Sequence, residues 1–209
     1  MEQSRISLTA IVLAGGQSSR MGTDKALLSI DNVPLLSRVC QLARVCTTQV
    51  LVVTPWLEKY QEVVPLGCRL IREVSLPRET QSPGPLVGFA RGLAFVDTEW
   101  VLLLACDLPC LPESELLKWL DYLDSVSAEA VALLPRHPQG WEPLAGFYRR
   151  SCLPQINDFV NQGGKSFQKW LKANSVQELP VTDPKMLFNC NTPADFQVAQ
   201  RLVRLSLIN

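Results

Sequence analysis

Histidine is almost missing from this chain: of its 209 residues only His137 is one. A nucleophilic triad needs a histidine base, and a multi-histidine metal centre needs several. One histidine supplies neither. Net charge is missing as well, because twenty Lys and Arg balance twenty Asp and Glu. No overall field favours nucleic acid or an anionic membrane as the main partner, so any positive charge that holds an anion must be local. Long apolar runs are absent. The longest, Val101 to Cys106, is strand-sized and far short of the ~20 residues that span a bilayer. Met1 to Arg5 lead towards a short strand without the apolar stretch of a secretion signal. Cysteine is present but unpaired in pattern: Cys40, Cys46, Cys68, Cys106, Cys110, Cys152 and Cys190 are odd in number and scattered through apolar segments. Cys106 and Cys110 have no second pair or histidine at zinc-site spacing. Reduced core thiols in a cytoplasmic protein are expected, with neither membrane nor nucleic acid as partner.

What is there describes a folded chain. Apolar residues make up 47% and charged residues 19% of it, and its length suits one α/β domain over residues 1–209. Apolar runs at 7–13, 50–53, 69–72, 100–106, 130–134, 143–148 and 175–181 read as strands. Between them, helical spacing predicts a helix opened by Pro34, a short one at 60–64, and others at 85–96, 113–123, 152–160 and 166–173. Thr192-Pro193-Ala194-Asp195 has the form of a capping box with proline in the first turn, opening a last helix. Continuously apolar strands alternating with helices predict a mostly parallel sheet covered on both faces, a three-layer, doubly wound, Rossmann-like α/β fold. No linker or internal repeat interrupts it. Ligands of such folds bind beyond the carboxyl ends of the strands.

The first strand runs into Leu13-Ala14-Gly15-Gly16-Gln17-Ser18-Ser19-Arg20-Met21-Gly22-Thr23-Asp24-Lys25. Adjacent glycines let backbone approach an anion closely, and successive N–H groups in such a turn form an anion-binding concavity. The spacing fits neither the Walker loop nor the dinucleotide fingerprint. Lys25 suits charge stabilisation against a phosphoryl group, whereas Arg20 either touches phosphate or braces the loop. Asp24 either orients Lys25 or is solvated. Asp107 ends the most apolar strand, where an acid must be paired, protonated or metal-bound. Beside a phosphate loop a divalent cation such as Mg²⁺ is the natural partner; capping of the turn at Leu108-Pro109 is the alternative. Ser82-Pro83-Gly84-Pro85 is a stiff turn whose helix N-terminus either faces a phosphate or simply packs tightly at Gly88. Asn189 and Asn191 alternate along an extended segment, where they either face a heterocycle or satisfy loop backbone. Gly163-Gly164-Lys165-Ser166 is a flexible turn with one cation.

Taken together these residues resemble the molybdenum cofactor guanylyltransferases, the MobA family. The matching pieces are the loop from Leu13 to Lys25 with Ala26-Leu27-Leu28, then Gly84-Pro85-Leu86-Val87-Gly88, then Ala105-Cys106-Asp107-Leu108-Pro109. Glu142-Pro143-Leu144 with Tyr148-Arg149-Arg150, and Asn189-Cys190-Asn191-Thr192-Pro193-Ala194-Asp195, follow in order. The resemblance implies a fold related to the sugar-phosphate nucleotidyltransferases, GTP as donor, Mg²⁺ as metal and Mo-molybdopterin as acceptor. It implies molybdopterin guanine dinucleotide and pyrophosphate as products. By position, Leu13, Ala14, Gly15 and Gly16 would meet the nucleotide, Lys25 its phosphates, and Asp107 both nucleotide and Mg²⁺. Asn189 and Asn191 would lie on the pterin side. Lys25, Asp107 and Arg20 are the candidate catalytic residues. Transient contact with proteins that supply molybdopterin, and with the molybdoenzyme side, is also expected.

The chain departs from the family pattern in three places. Val53-Thr54-Pro55 stands where Asn is common, Arg72-Glu73-Val74 where Asp is usual, and Ala145 where His is common. Guanine and ribose contacts from the first two places stay open. The rival readings are a cytidylyltransferase of the same fold, whose members more often show Leu-Ala-Ala-Gly in the first loop, and a GTP-binding module without turnover.

Overall fold

A computed structural model describes residues 6–16, 21–73 and 84–206. In chain order its strands are β1 (Leu8–Leu13), β2 (Ser29–Ile30), β3 (Val33–Pro34), β4 (Val50–Thr54), β5 (Cys68–Arg72), β6 (Trp100–Ala105), β7 (Ala132–Leu134), β8 (Arg136–His137), β9 (Gly140–Trp141), β10 (Ala145–Arg149) and β11 (Val176–Glu178). The helices are α1 (Leu35–Cys46), α2 (Leu57–Tyr60), α3 (Pro85–Leu93), α4 (Glu113–Asp121), α5 (Leu153–Asn161), α6 (Phe167–Lys172) and α7 (Pro193–Ser206). Seven strands form one sheet in the order β11-β7-β10-β6-β1-β4-β5. Every pairing in it is parallel except those of β10, which runs against both β6 and β7.

The apolar strands are continuous because both faces are covered. On one face Leu8, Ala10 and Val12 of β1 pack with Val39, Cys40 and Ala43 of α1 and Trp119 of α4. On the other, Ile11 and Leu13 pack with Phe89 and Leu93 of α3, Ile156 of α5 and Trp170 of α6. Each such aliphatic side chain contributes on the order of 1.5–3 kcal/mol when buried. A one-residue slip would send every one of them to the wrong face, so burial fixes the register. Helix α3 lies close to the sheet because Gly92 has no side chain: a Cβ there would stand 2.9 Å from Ile11 Cδ1 and 3.0 Å from Val53 Cγ2. A third cluster, Ile30, Leu35, Cys190, Ala199 and Val203, docks α7 on the β2–β3 hairpin and the start of α1.

Three details differ from the expectation. The helix expected at 60–64 lies earlier, at α2. Thr54 Oγ1 accepts the Trp56 N–H at 3.2 Å and turns the chain at once, while Val63 and Val64 both donate to the Tyr60 carbonyl in a closing turn. The β2–β3 hairpin was legible only in its turn, where Asp31 and Asn32 take φ of 51° and 62° as a two-residue hairpin demands. The β8–β9 ribbon carries no comparable signal. All seven cysteines are free. Among the described residues no helix is long and apolar enough to cross a membrane.

Candidate active site

Parallel pairing of Leu13 with Ala105 sets the carboxyl ends of β1 and β6 side by side. The ladder continues past both strands, with Ala14 N–H on the Val53 carbonyl at 2.9 Å and Cys106 N–H on the Leu13 carbonyl at 3.2 Å. The glycine loop and Asp107 therefore leave the sheet at one edge. Thr54 Oγ1 donates to the Ala14 carbonyl at 2.9 Å in a buried bond, so the residue standing where the family often has Asn braces the first peptide of the loop.

The chain returns from the loop at Asp24, whose carboxylate accepts the Ala26 N–H at 3.0 Å and caps the 3₁₀ turn Lys25–Leu27. That turn aims Lys25 across the edge. Its Nζ donates to Asp107 Oδ2 at 2.8 Å and to Asn191 Oδ1 at 3.1 Å. The two side chains of the ion pair are only 14% and 17% exposed, so the pair is substantially withdrawn from water. Asn191 is held there by the start of α7. Asp195 accepts the N–H groups of Asn191 and Thr192 at 3.1 and 2.8 Å, and Thr192 Oγ1 accepts the Asp195 N–H at 3.2 Å, the reciprocal pairing of a capping box. Between the two asparagines, Cys190 N–H donates to the Asp107 carbonyl at 3.1 Å.

A cavity of about 210 Å³ opens at this edge. Residues 13–16, Lys25, Asp107, Glu73 and the N-terminus of α3 at Gly84 and Pro85 line it. Sheet order separates Glu73, which follows β5, from Asp107, which follows β6, by the ends of β4 and β1. Glu73 is 7% exposed, and burial pushes its carboxyl above the usual range. It sits against Gly15 and Gly88; a Cβ on Gly88 would stand 3.2 Å from Glu73 Oε1. Gly84 takes φ of 91°, a conformation that favours glycine, and Pro85 then starts α3. Its N-terminal dipole end is therefore at the cavity wall.

Asp24 is anchored from the other side. Tyr60 Oη donates to Asp24 Oδ2 at 2.7 Å and Lys59 Nζ lies 2.5 Å from the same oxygen. Burial and then this bond raise the Tyr60 phenol, which stays protonated as a donor. Among the described residues lining the cavity, three carboxylates, Asp24, Glu73 and Asp107, face one lysine, Lys25.

Antiparallel β10 brings its entry, not its exit, to the same edge. Ala105 N–H donates to the Leu144 carbonyl at 2.9 Å. Just before it, burial raises the Glu142 carboxyl, and the charge of Asp107 adds to the rise. His137 Nε2 lies 3.8 Å from Glu142 Oε2.

Of the residues singled out from the sequence, Leu13, Ala14, Gly15, Gly16, Lys25 and Asp107 meet around one cavity. Asn191 reaches it through Lys25, whereas the Asn189 amide donates to the Leu187 carbonyl at 3.4 Å. Arg20 lies outside the described residues, as do Ser82 and Pro83 of the stiff turn. Lys165 precedes Ser166, which caps α6. Sequence reasoning left Glu73 open and missed the partnership of Asp24 with Lys59 and Tyr60. It placed Glu142 in a motif without a role. No group of three or more His, Cys, Asp or Glu among the described residues could by itself hold a metal ion. A single carboxylate at a phosphate site still suits Mg²⁺, which takes one or two carboxylates and fills its shell with phosphate oxygens and water.

The model of the MobA-like NTP transferase domain matches residues 10–178. A probable molybdenum cofactor guanylyltransferase of Nostoc sp. is 56% identical over 194 residues, covering 93% of this chain and 91% of that protein. The molybdenum cofactor guanylyltransferase of Syntrophotalea carbinolica is 31% identical, covering 92% and 90%. Among solved structures, molybdopterin-guanine dinucleotide biosynthesis protein A of Archaeoglobus fulgidus superposes with a TM-score of 0.76 at 22% identity, covering 94% of this chain and 99% of that one. A cytidylyltransferase of Leptospira borgpetersenii shares the fold at a TM-score of 0.71 and 12% identity, covering 93% and 85%. The matched stretch runs from within β1 to the end of β11 and takes in both the loop and the acid that frame the cavity, and the chain belongs to the MobA-like NTP transferase family.

Proposed function

We propose that the chain is a molybdenum cofactor guanylyltransferase, a single nucleotidyltransferase unit over residues 1–209 that transfers GMP from GTP to Mo-molybdopterin and releases pyrophosphate. The observation that carries this reading is the Lys25–Asp107 pair, held at 2.8 Å where the β1 loop and the end of β6 converge on the cavity. The names of the relatives, each a guanylyltransferase at 56% or 31% identity, favour guanine as the base and molybdopterin as the acceptor. Cytoplasmic operation follows from the same reading, as do transient contacts with the proteins that supply molybdopterin and receive the product.

The attacking group is a phosphate oxygen of the acceptor, already anionic, so no protein base is required. Catalysis then consists of positioning and charge neutralisation. The nucleoside end lies by residues 13–16 and Glu73, and the phosphates lie towards Lys25 and the N–H groups of Gly15 and Gly16. Lys25 leaves Asp107 for the phosphates and stabilises the charge on the departing pyrophosphate; Arg20 is the second cation proposed for that loop. Asp107, released, is the carboxylate that would hold Mg²⁺. When bound, that ion neutralises phosphate charge and orients the α-phosphate. A triphosphate brings its own negative charge beside Asp107, which supports this need. Asn189 and Asn191 face the acceptor. Asn191 presents its oxygen to Lys25, which leaves its amide N–H groups for the ligand.

The test is to incubate the purified protein with Mg²⁺, molybdate-loaded molybdopterin and each nucleoside triphosphate in turn. Formation of the guanine dinucleotide with pyrophosphate, from GTP and not CTP, is the expected result. GTP binding without pyrophosphate release would replace it with a regulatory module, and preference for CTP with a cytidylyltransferase.

A further inference from the structure

In the proposed transfer Lys25 leaves Asp107 for the phosphates and gives up its 2.8 Å bond to that carboxylate. The direction of its side chain is then set by the backbone it hangs from. That backbone is weak by itself. The turn Lys25–Leu27 is three residues of 3₁₀ helix, closed by Leu27 N–H on the Asp24 carbonyl at 3.2 Å and Leu28 N–H on the Lys25 carbonyl at 3.1 Å. Hydrogen bonds in such turns are poorly aligned. Asp24 supplies further support from its side chain. Oδ1 accepts the Ala26 N–H at 3.0 Å, and Oδ2 accepts the Tyr60 hydroxyl at 2.7 Å, so one carboxylate ties the turn to α2.

Tyr60 is a firm post for that tie. Its side chain is buried in the same packed cluster as Val50 and Val52 of β4. The Trp56 ring stands edge-on to it, with centroids 6.3 Å apart and planes at 86°. The Tyr60 carbonyl accepts the N–H groups of Val63 and Val64 at 3.0 and 2.9 Å, which fixes its backbone. Lys59 Nζ reaches the same Asp24 oxygen at 2.5 Å, but its side chain is 45% exposed. An ion pair open to water contributes little and is screened by salt, whereas the phenol bond lies inside.

We infer that Tyr60 is a positioning residue for Lys25: acting through Asp24, it fixes the turn that aims the ammonium at the phosphates. The inference rests on the guanylyltransferase reading for its effect on rate, and on geometry alone for the anchoring of the turn. A misaimed ammonium costs most where charge develops in the transition state, so the loss falls on kcat more than on KM for GTP.

Tyr60→Phe removes one hydroxyl and keeps the ring. It should lower kcat for guanylyl transfer about tenfold and change KM for GTP by less than about twofold, the pattern of lost orientation. In a Lys25→Ala background the same substitution should lower kcat no further, because no ammonium is left to aim. Lys59→Gln should lose less than Tyr60→Phe. A second readout needs no turnover. In amide exchange followed by NMR, Ala26 N–H should exchange faster in Tyr60→Phe while the amides of α1 keep their protection. Parental kcat in Tyr60→Phe, a full further loss in the Lys25→Ala background, a larger loss in Lys59→Gln, or unchanged protection of Ala26 overturns the assignment. Should the parent form no guanine dinucleotide, the transfer reading fails, and Ala26 exchange still decides whether Tyr60 holds the turn.

Discussion

Lys25 and Asp107 form an ion pair that is not fully buried but largely shielded, at 14% and 17% exposure. Removing either partner breaks the charge pair inside the cavity. Lys25→Ala is expected to lower guanylyl transfer by about 10²–10³-fold, the scale seen when one charge-stabilising donor is lost from an active site. Asp107→Ala should lose transfer to at least the same extent. Unchanged far-UV circular dichroism and a cooperative melt would show that each variant still folds; near-normal turnover in Asp107→Ala would remove it from the metal site. Glu73 makes a prediction of a different kind. Burial raises its carboxyl, so the native state holds the proton more tightly than the unfolded chain. Stability linked to Glu73 is therefore complete below the ordinary value of 4.5 and is lost as pH rises through the raised one. Glu73→Gln should melt at a higher temperature than the parent at pH 8, and the gain should vanish by pH 4. A constant difference across that window would mean the carboxylate is compensated by a partner. The same residue shows where a sequence falls silent. In the sequence Arg72-Glu73-Val74 marks only a departure from the family pattern, whereas the ladder bond from Glu73 N–H to the Thr54 carbonyl turns the side chain inward against Gly15 and Gly88.

Among the elements, α3 and α7 do the placing. Gly92→Ala puts a methyl within 2.9–3.0 Å of Ile11 and Val53. Overpacking of this kind should cost about 1–3 kcal/mol in urea unfolding, and a neutral substitution would mean that α3 can lift from the sheet. Thr192→Ala removes the acceptor for the Asp195 N–H and should cost about 1 kcal/mol. It should also raise the KM for the acceptor more than that for GTP, because Asn189 and Asn191 hang from that cap. The central strands β1, β4 and β6 were legible because continuous burial on two faces leaves a nearly uninterrupted apolar run. The direction of β10 was not. Ala145 to Tyr148 are buried whichever way the strand points, so only the pairing with β6 and β7 reveals its reversal. The pairing of Tyr60 with Asp24 spans 36 residues, and nothing in either local pattern announces it. The loop, Lys25 and Asp107 were legible because their chemistry is tied to the end of a strand, a place that periodicity locates.

At the scale of the whole molecule, the cavity couples ligand to fold. A ligand that binds only the native state stabilises it by RT ln(1 + [L]/Kd), about 2.7 kcal/mol at a hundredfold excess over Kd. GTP with Mg²⁺ should therefore raise the melting temperature in a concentration-dependent way, and chelation should abolish most of the shift, because the Asp107 carboxylate stands beside the proposed phosphate seat. An equal shift without the cation would mean that backbone N–H groups and the residues of the glycine loop suffice for the phosphates.

The reversal of β10 divides responsibility along the rim. β1, β4, β5 and β6 share one heading and deliver their exits to it, and in the proposed reading those exits form the donor half. The lone countercurrent strand delivers its entrance, with Glu142 and the small ribbon of residues 136–141 upstream. In the proposed reading the exits of β1 and β6 seat the triphosphate, and residues 136–142 lie on the recipient's side. Exchange of residues 136–142 for those of a relative should retune the choice of recipient while the triphosphate's seat stays as it was.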